Sequence, residues 1–300
     1  MPGFFQSLTT SPLLAEVSRE AMPLFGERGH LLSWITNSSF VAVIVVGGIL
    51  WLARKATTNM QLVPSGPQNF FELVVEFLYD KVEGIVGKKV APKAFPLLAT
   101  LFIFILVANW FGLIPGVGTI GWPKEEHGHL GFLTVEEVDR PLFRPATADL
   151  NMTLGMALTF MLIWTFLTIK EAGIWNFLVH TFGPKGGAKG LFGLFLAVIF
   201  FGVGIIELIS IAIRPVSLSL RLYGNIFAGE TLLHTMMTLP EQLHFPGWLA
   251  HICAVLLPLP FYFMELLVGL VQALVFTLLC AVYVQLSTGT AHEEHGDAHH

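Results

Sequence analysis

Charged side chains are scarce in this chain of 300 residues. Only 12% of its residues are Asp, Glu, Lys or Arg, and 54% are hydrophobic, whereas about a quarter of a soluble domain is charged. This scarcity excludes an ordinary soluble domain and predicts a polytopic membrane protein. The formal net charge of −5 also argues against a nucleic-acid partner, because such a partner calls for a basic face.

Cysteine and catalytic motifs are equally scarce. The two cysteines, Cys253 and Cys280, lie inside apolar segments, which is typical of small core residues and not of a disulfide framework or a metal site. The sequence contains no phosphate-binding glycine loop, no nucleophile motif and no evident pair of histidines for haem ligation. We therefore expect no cofactor, no metal and no redox or hydrolytic site.

Long apolar runs predict an all-α membrane protein with five transmembrane helices. The runs cover about residues 31–53, 94–116, 147–169, 191–239 and 250–286, each long enough to cross about 30 Å of hydrocarbon. Between the first two, apolar residues from Phe70 to Ile85 recur at helical spacing with acidic residues among them. This pattern predicts an amphipathic helix in the membrane interface, with a short span as the alternative. Residues 1–30 are expected to form an extracytoplasmic segment, 31–287 the membrane domain and 288–300 a polar tail.

The tract from 191 to 239 is too long for an ordinary span. As one helix it would exceed about 70 Å, and no polar turn beside Pro215 would allow a hairpin. Lys and Arg near span ends favour the cytoplasm; segments 54–93 and 170–189 hold nine of them, against five, including Arg144, on the opposite side. We predict an outside N-terminus, a cytoplasmic C-terminus and a single tilted crossing with a kink at Pro215. The last two spans then form a long tilted hairpin.

Polar side chains recur inside these last two spans. Glu207, Arg214 and Arg221 are seven residues apart, so they project from nearly the same helix face. An arginine at bilayer depth costs roughly 2.5–3.5 kcal/mol, and such residues mark functional sites. Arg221 is the strongest candidate because it is central and no acidic residue lies within one turn of it. Arg214 lies nearer the cytoplasmic end, where it could snorkel or pair with Glu207.

Other polar residues near or inside the spans leave two interpretations open. Glu230 and Glu265 could form a structural pair, or a pair of carboxylates suited to proton exchange. Asn225 and Gln272 could be functional or could simply join helices by hydrogen bonds. At the outer end of the third span, Asp149 and Asn151 could cap the helix or line a pore mouth. The small residues Gly224 and Ala228 leave space for a neighbouring helix.

The stretch RPVSLSLRLYGNIFAGE, which contains Arg214 and Arg221, closely resembles the signature of subunit a of F-type ATP synthases. Further segments agree in the same order and extend the resemblance over about residues 60–287. They are PSGPQNFFE, ANWFGLIPG, PATADLNMTL, IIELISIAIRP and MELLVGLVQALVFTLLCAVYVQLS.

The resemblance implies a stator subunit, non-catalytic by itself, that couples an ion gradient to ATP synthesis. Its implied partners are the c-subunit ring, the peripheral stalk subunit b, other ATP synthase subunits and the lipid bilayer. The chain length and the basic bias of the cytoplasmic segments favour a bacterial inner membrane. Arg221 is implied to face the ring and to separate two half-channels. The other implied ion-pathway residues are Glu230, Glu265 and Gln272 in the outer half-channel, Asn225 beside the arginine, Glu207 in the inner route, and Asp149 and Asn151 at the outer entrance.

One position departs from the family pattern that the resemblance implies. Many relatives have a histidine at one of the two positions matched by Glu230 and Glu265, but this chain has glutamate at both. From the residues alone, two other function classes stay open. A secondary transporter could use Arg221 to bind an anion, although the sequence shows no internal repeat of the kind common in transporters. A structural scaffold would explain none of the charges in the middle of the spans.

Overall fold

The computed structural model describes residues 36–58, 60–61, 63–64, 66–114, 121–123, 138–141, 143–172 and 191–296. This part of the chain is almost entirely helical. The predicted N-terminal segment 1–30 and residues 31–35 of the first predicted span lie outside it. The elements are α1 (Asn37–Thr57), α2 (Pro67–Val86), α3 (Ala91–Gly112), β1 (Gly121–Pro123), β2 (Val138–Pro141), a 3-10 helix (Ala146–Ala148), α4 (Leu150–Ala172), α5 (Leu191–Gln242), α6 (Gly247–Leu256) and α7 (Pro258–Gly296).

Five stretches of the described helices are long and apolar enough to cross a membrane. They are Asn37–Thr57, Ala91–Gly112, Leu150–Ile169, Ile199–Pro240 and Gly247–Gln285. The predicted all-α architecture with five spans is therefore confirmed. The strands β1 and β2 add a short antiparallel pair within the polar loop that follows α3.

Helix α2 is not among the span-capable helices, and its apolar side chains point in two directions. Leu78 and Val82 are buried, whereas Phe70 and Phe77 are 56% and 46% exposed. The Tyr79 ring packs edge-on against Phe95 of α3, with 5.1 Å between the ring centroids. An amphipathic helix is thus present as expected, while its position in the membrane interface stays a prediction.

The last two spans differ in their continuity. Helix α5 runs as one helix of 52 residues through Pro215, as the predicted single long crossing requires. The fifth span is instead interrupted, since α6 ends at Leu256 and α7 begins at Pro258. Proline lacks an N–H and is well suited to the first turn of a new helix. The apolar tract expected at 250–286 is confirmed as one span-capable stretch, Gly247–Gln285, with a bend at Leu257, and the last two spans form a bent hairpin. Helix α7 continues to Gly296, into the predicted tail.

The chain divides into two compact units. The first contains the chain up to Gln68 together with Phe102–Thr153 and Leu222–Leu274; the second contains Asn69–Leu101, Leu154–Arg221 and the chain from Val275. In the first unit, Val41 and Val45 of α1 pack with Ala108 of α3 and with Ala146 of the 3-10 helix. This core holds the segment before α4 in place.

A close approach between α3 and the segment before α4 requires glycine at the end of α3. A Cβ atom added to Gly112 would overlap the ring of Pro145, which is part of the buried segment 144–149. The ring cannot move aside easily, because its neighbours in sequence are buried as well. Gly112 therefore sets how closely α3 and this segment pack.

We expect Gly112→Ala to destabilise the protein by about 1–3 kcal/mol, the usual cost of overpacking. The thermal unfolding midpoint of the detergent-solubilised protein measures this loss. Gly155→Ala is the matched control, because a Cβ atom at Gly155 would meet nothing within 4 Å. Equal midpoints for the two variants would contradict the proposed contact.

Candidate functional site

Polar side chains of α5 and α7 meet in the first unit. The side-chain amide of Asn225 donates a hydrogen bond from Nδ2 to Oε1 of Gln272, at 2.8 Å. The carboxylate of Glu265 lies against Gly229. From Asn225 to Gly229 along α5, the contacted residue on α7 changes from Gln272 back to Glu265. The two helices are therefore antiparallel here. We call Asn225, Glu230, Glu265 and Gln272 the polar cluster.

Gly229 makes room for one carboxylate of the polar cluster. A Cβ atom added at this position would overlap the Glu265 carboxylate group itself. Any larger side chain would thus force Glu265 into another rotamer or push the two helices apart. Gly229, which directly precedes Glu230 in the sequence, therefore determines where the carboxylate of Glu265 lies.

Several polar atoms in this region have no protein partner. Within the part of the chain that the structure describes, Oε2 of Glu230, Oε1 of Glu265 and Nε2 of Gln272 are buried without a hydrogen bond. The side-chain oxygen Oδ1 of Asn109 on α3 is likewise buried without a hydrogen bond. Buried polar atoms are normally hydrogen-bonded, and exceptions are a feature of functional sites. The carboxylate and amide oxygens can accept a hydrogen bond from water, the carboxylates can also bind a proton, and Nε2 of Gln272 can donate a hydrogen bond.

Two side chains of α3 hold α7 beside the polar cluster. Asn109 donates from Nδ2 to the main-chain carbonyl of Gly269, and Trp110 donates from Nε1 to the carbonyl of Leu266, both at 3.1 Å. The two carbonyls lie between Glu265 and Gln272 in the sequence, so these bonds support both side chains. Sequence analysis did not single out Asn109 or Trp110. The sequence signal that could have identified Asn109 is its side-chain amide inside an otherwise apolar span.

Arg144 lies in the segment before the 3-10 helix, and its side chain is only 4% exposed. Its Nη2 donates to the carbonyl oxygen of Ala148 at 3.1 Å. Arg144 and His234 both lie near Glu230. Sequence analysis counted Arg144 among the loop cations near span ends and predicted nothing about its burial, because local charge content does not reveal packing against distant segments.

Arg214, in the second unit, lies over an aromatic ring. Its Cζ atom is 5.0 Å from the ring centroid of Tyr283 on α7, an arrangement in which the face of the ring attracts the cation. Arg214 and Glu207 are both half-buried. Among the residues that the structure describes, no ion pair joins the two, so Tyr283 is the contact that holds Arg214.

Arg221 differs from Arg144 and Arg214. Its side chain is exposed on α5, and no described residue gives its guanidinium a hydrogen bond or an ion pair. The same helix face exposes Val216, Ser217 and Leu220 before it and Asn225 after it. A positive charge is thus presented outward from a strongly apolar helix.

Asp149 and Asn151 lie at the start of α4. Asp149 is buried, and its Oδ1 accepts a hydrogen bond from the backbone N–H of Asn151 at 3.0 Å. Asp149 therefore caps α4, one of the two alternatives for this residue. Asn151 is exposed. A role of either residue at a pore mouth stays a prediction.

These features define a class: a multi-pass membrane protein with a polar cluster between its last two spans and an exposed arginine within an apolar helix. A family model described as ATP synthase A chain matches residues 36–285. Curated relatives named ATP synthase subunit a include those of Acidothermus cellulolyticus, 31% identical over 89% of this chain and 83% of its own length, and of Aliarcobacter butzleri, 32% identical over 89% and 94%. The relative from Geobacter sulfurreducens is 34% identical over 83% of this chain and 86% of its own length.

The chain belongs to the ATP synthase subunit a family, which confirms the resemblance found in the sequence. It is a multi-pass bacterial membrane protein of the membrane sector of ATP synthase, with a part in ATP synthesis and proton transport. Family membership decides against the secondary transporter and the scaffold that the residues alone left open.

We expect Gly229→Ala to reduce ATP synthesis at least tenfold, because the added methyl group displaces the Glu265 carboxylate. Membrane vesicles energised by an imposed proton gradient provide the measurement, normalised to the amount of assembled complex. Gly202→Ala on the same helix is the control, since a Cβ atom there meets nothing within 4 Å. A fully active Gly229→Ala variant would show that the position of Glu265 is unimportant.

Proposed function

We propose that this chain is the ion-translocating stator subunit of a rotary ATP synthase and exchanges protons with the carboxylates of a c-subunit ring. The observation that carries the proposal is the exposed guanidinium of Arg221, which lies on the span-capable stretch Ile199–Pro240. An arginine at bilayer depth costs roughly 2.5–3.5 kcal/mol. A carboxylate supplied by another chain would offset this cost. A ring of such carboxylates provides one partner after another as it turns.

Arg221 keeps the two half-channels apart. A guanidinium is not deprotonated in proteins, so it cannot relay a proton from one side to the other. It pairs with each ring carboxylate that has lost its proton and releases it when that carboxylate is protonated again. The pairing must be transient, because a permanent buried ion pair would stop rotation.

The outer half-channel uses the polar cluster. A proton enters past Asp149 and Asn151, reaches the carboxylates of Glu230 and Glu265, and continues past Gln272 to a ring carboxylate. The buried polar atoms of the cluster that lack a protein partner support this route. Asn225, which donates to Gln272, stands one helical turn from Arg221 and orients the last amide before the ring.

The inner route begins at Glu207. After nearly a full turn of the ring, a carboxylate that carries a proton releases it on the cytoplasmic side, and Glu207 accepts it on the way to water. Arg214 remains against Tyr283 and does not compete with Arg221 for ring carboxylates. Arg214 and Arg221 therefore have different roles, although both lie on α5.

The exposed face of α5 suits a neighbouring helix. Val216 and Leu220 provide apolar contact, and a Cβ atom at Gly224 would meet nothing within 4 Å. Small residues such as Gly224 and Ala228 permit helices to approach closely. The ring covers this face, while the peripheral stalk subunit b and other subunits keep the chain from turning with it. The N-terminal segment 1–30 lies outside, the tail 288–300 lies in the cytoplasm, and residues 31–287 form the membrane domain of the inner membrane.

Arg221→Ala is expected to abolish ATP synthesis driven by a proton gradient, at least 100-fold, while the complex still assembles. The loss follows because no fixed cation remains to pair with the ring carboxylates. Synthesis is measured in energised vesicles, and assembly is checked by isolating the complex. Normal coupled synthesis in this variant would defeat the proposed function.

Arg214→Ala is expected to have a milder effect, about two- to tenfold, because Arg214 acts through its contact with Tyr283. Tyr283→Phe serves as its control: the aromatic face stays, so the rate should stay near that of the unaltered protein. The same vesicle assay measures both. A loss with Arg214→Ala as severe as that with Arg221→Ala would mean that Arg214 takes part in the exchange itself.

A further inference from the structure

The side-chain amide of Asn109 has an orientation that its surroundings determine. Its Nδ2 donates to the main-chain carbonyl of Gly269 at 3.1 Å, and a carbonyl oxygen can only accept a hydrogen bond. The NH2 group must therefore face Gly269, and Oδ1 must point away from it. Within the part of the chain that the structure describes, this oxygen is buried without a hydrogen bond, and the residue is only 3% exposed. An acceptor is thus enclosed beside α7.

Gly269 leaves a gap in the surface of α7, and the Asn109 side chain enters it. A Cβ atom added to Gly269 would lie 3.3 Å from Cβ and 3.8 Å from Nδ2 of Asn109. Glu265 lies four residues before Gly269 and Gln272 three residues after it, so the three positions share one face of α7. Neighbours at these spacings have their Cβ atoms about 5–6 Å apart. The Asn109 amide therefore lies between Glu265 and Gln272, on the face that carries both.

Glu265 and Gln272 do not reach each other. Among the described residues, neither Oε1 of Glu265 nor Nε2 of Gln272 has a hydrogen-bond partner. The Glu265 carboxylate lies against Gly229, whereas Oε1 of Gln272 accepts from Asn225. Gly229 and Asn225 are four residues apart, about 6 Å along α5, and a hydrogen bond joins atoms only about 2.7–3.2 Å apart. A proton route from Glu265 to Gln272 therefore needs a group between them.

A water molecule is the group whose hydrogen bonds match the three atoms. Oδ1 of Asn109 and Oε1 of Glu265 are acceptors, and Nε2 of Gln272 is a donor. A water donates two hydrogen bonds, and buried waters make about three in all to polar groups that otherwise lack partners. Two successive hydrogen bonds through one water span about 5.5 Å. This reach equals the spacing of neighbouring side chains on one helix face.

We propose that Asn109 binds a water molecule that joins Glu265 to Gln272 and completes the outer half-channel. The inference rests on the proposed function and deepens it. The water donates to Oδ1 of Asn109 and to the ionised Glu265 carboxylate, and it accepts from Nε2 of Gln272. When Glu265 carries a proton, it passes that proton to the water, and the water gives up another proton towards a ring carboxylate. Afterwards the water is again neutral, Glu265 is ionised and the ring carboxylate is protonated.

The test compares Asn109→Leu with Asn109→Ala in vesicles that contain the whole complex. Leucine has the same branched skeleton as asparagine but no acceptor, so it fills the gap and excludes the water. Alanine leaves a space beside Glu265 and Gln272 that further water can enter. ATP synthesis, normalised to the amount of assembled complex, should fall about tenfold or more with leucine and clearly less with alanine. A purely structural role predicts the opposite order, because a cavity destabilises more than an exchange of similar shape.

Two control variants separate the bound water from the bonds that hold α7. Trp110→Phe removes the comparable bond to the Leu266 carbonyl but no acceptor near Gln272, so its loss should be at most about threefold. Thr100→Val removes a hydroxyl of α3 that donates to Leu97 of the same helix, and it should leave the rate unchanged.

A loss with alanine as great as with leucine, or equal losses in Asn109→Leu and Trp110→Phe, would overturn the inference. A density map of the unaltered complex, at a resolution that shows ordered waters, provides an independent readout. We expect a water within hydrogen-bond distance of Oδ1 of Asn109, and its absence there overturns the inference even if the variants fail to assemble. Since Arg221→Ala tests the exchange with the ring and leaves Asn109 untouched, the proposed function can stand when this inference fails.

Discussion

A positive charge inside an apolar layer must have a partner, and this constraint underlies most of the structure. The chain meets it in three ways. Arg144 is buried, bonded to a main-chain carbonyl and close to the acidic Glu230. Arg214 lies over the ring of Tyr283, a weaker attraction that suits a half-buried cation. Among the described residues, Arg221 has neither a hydrogen-bond partner nor an aromatic ring beneath it. Its partner is therefore expected on another chain. The difference between these arginines therefore lies in their surroundings and not in their residue type.

The second constraint is that polar groups of two helices can meet only where the backbones approach closely. Gly229 provides this approach, since the Glu265 carboxylate occupies the space that a Cβ atom would take. The bonds from Asn109 and Trp110 to the carbonyls of Gly269 and Leu266 then hold α7 against α3. A carboxylate placed between a glycine and a supported helix has little freedom to turn away. Close packing thus serves the chemistry of the cluster as well as stability.

Sequence reasoning reached the parts of the molecule that depend on local pattern. Hydropathy gave the five spans, helical spacing gave the shared face of Glu207, Arg214 and Arg221, and the resemblance gave the family. The bend at Leu257 was not predicted, because the flanking tract is apolar. The burial of Arg144 was not predicted either, because its sequence neighbours resemble an ordinary loop and only contacts from distant segments bury it. The roles of Gly229 and Asn109 were not predicted for a similar reason. Each depends on a contact between two segments that are distant in sequence, and one segment alone does not reveal which other segment it contacts.

The charges of the two helices α5 and α7 can now be considered together. Glu230 has Arg144 and His234 near it, and Arg214 lies over an aromatic face that carries no formal charge. What remains on the exposed face of α5 is one positive charge, that of Arg221. A stator that carried its own acidic partner for Arg221 would hold the guanidinium in a permanent pair, and a moving carboxylate would have to displace that partner. Because no described residue gives Arg221 a hydrogen bond or an ion pair, its guanidinium is available to a partner that comes and goes.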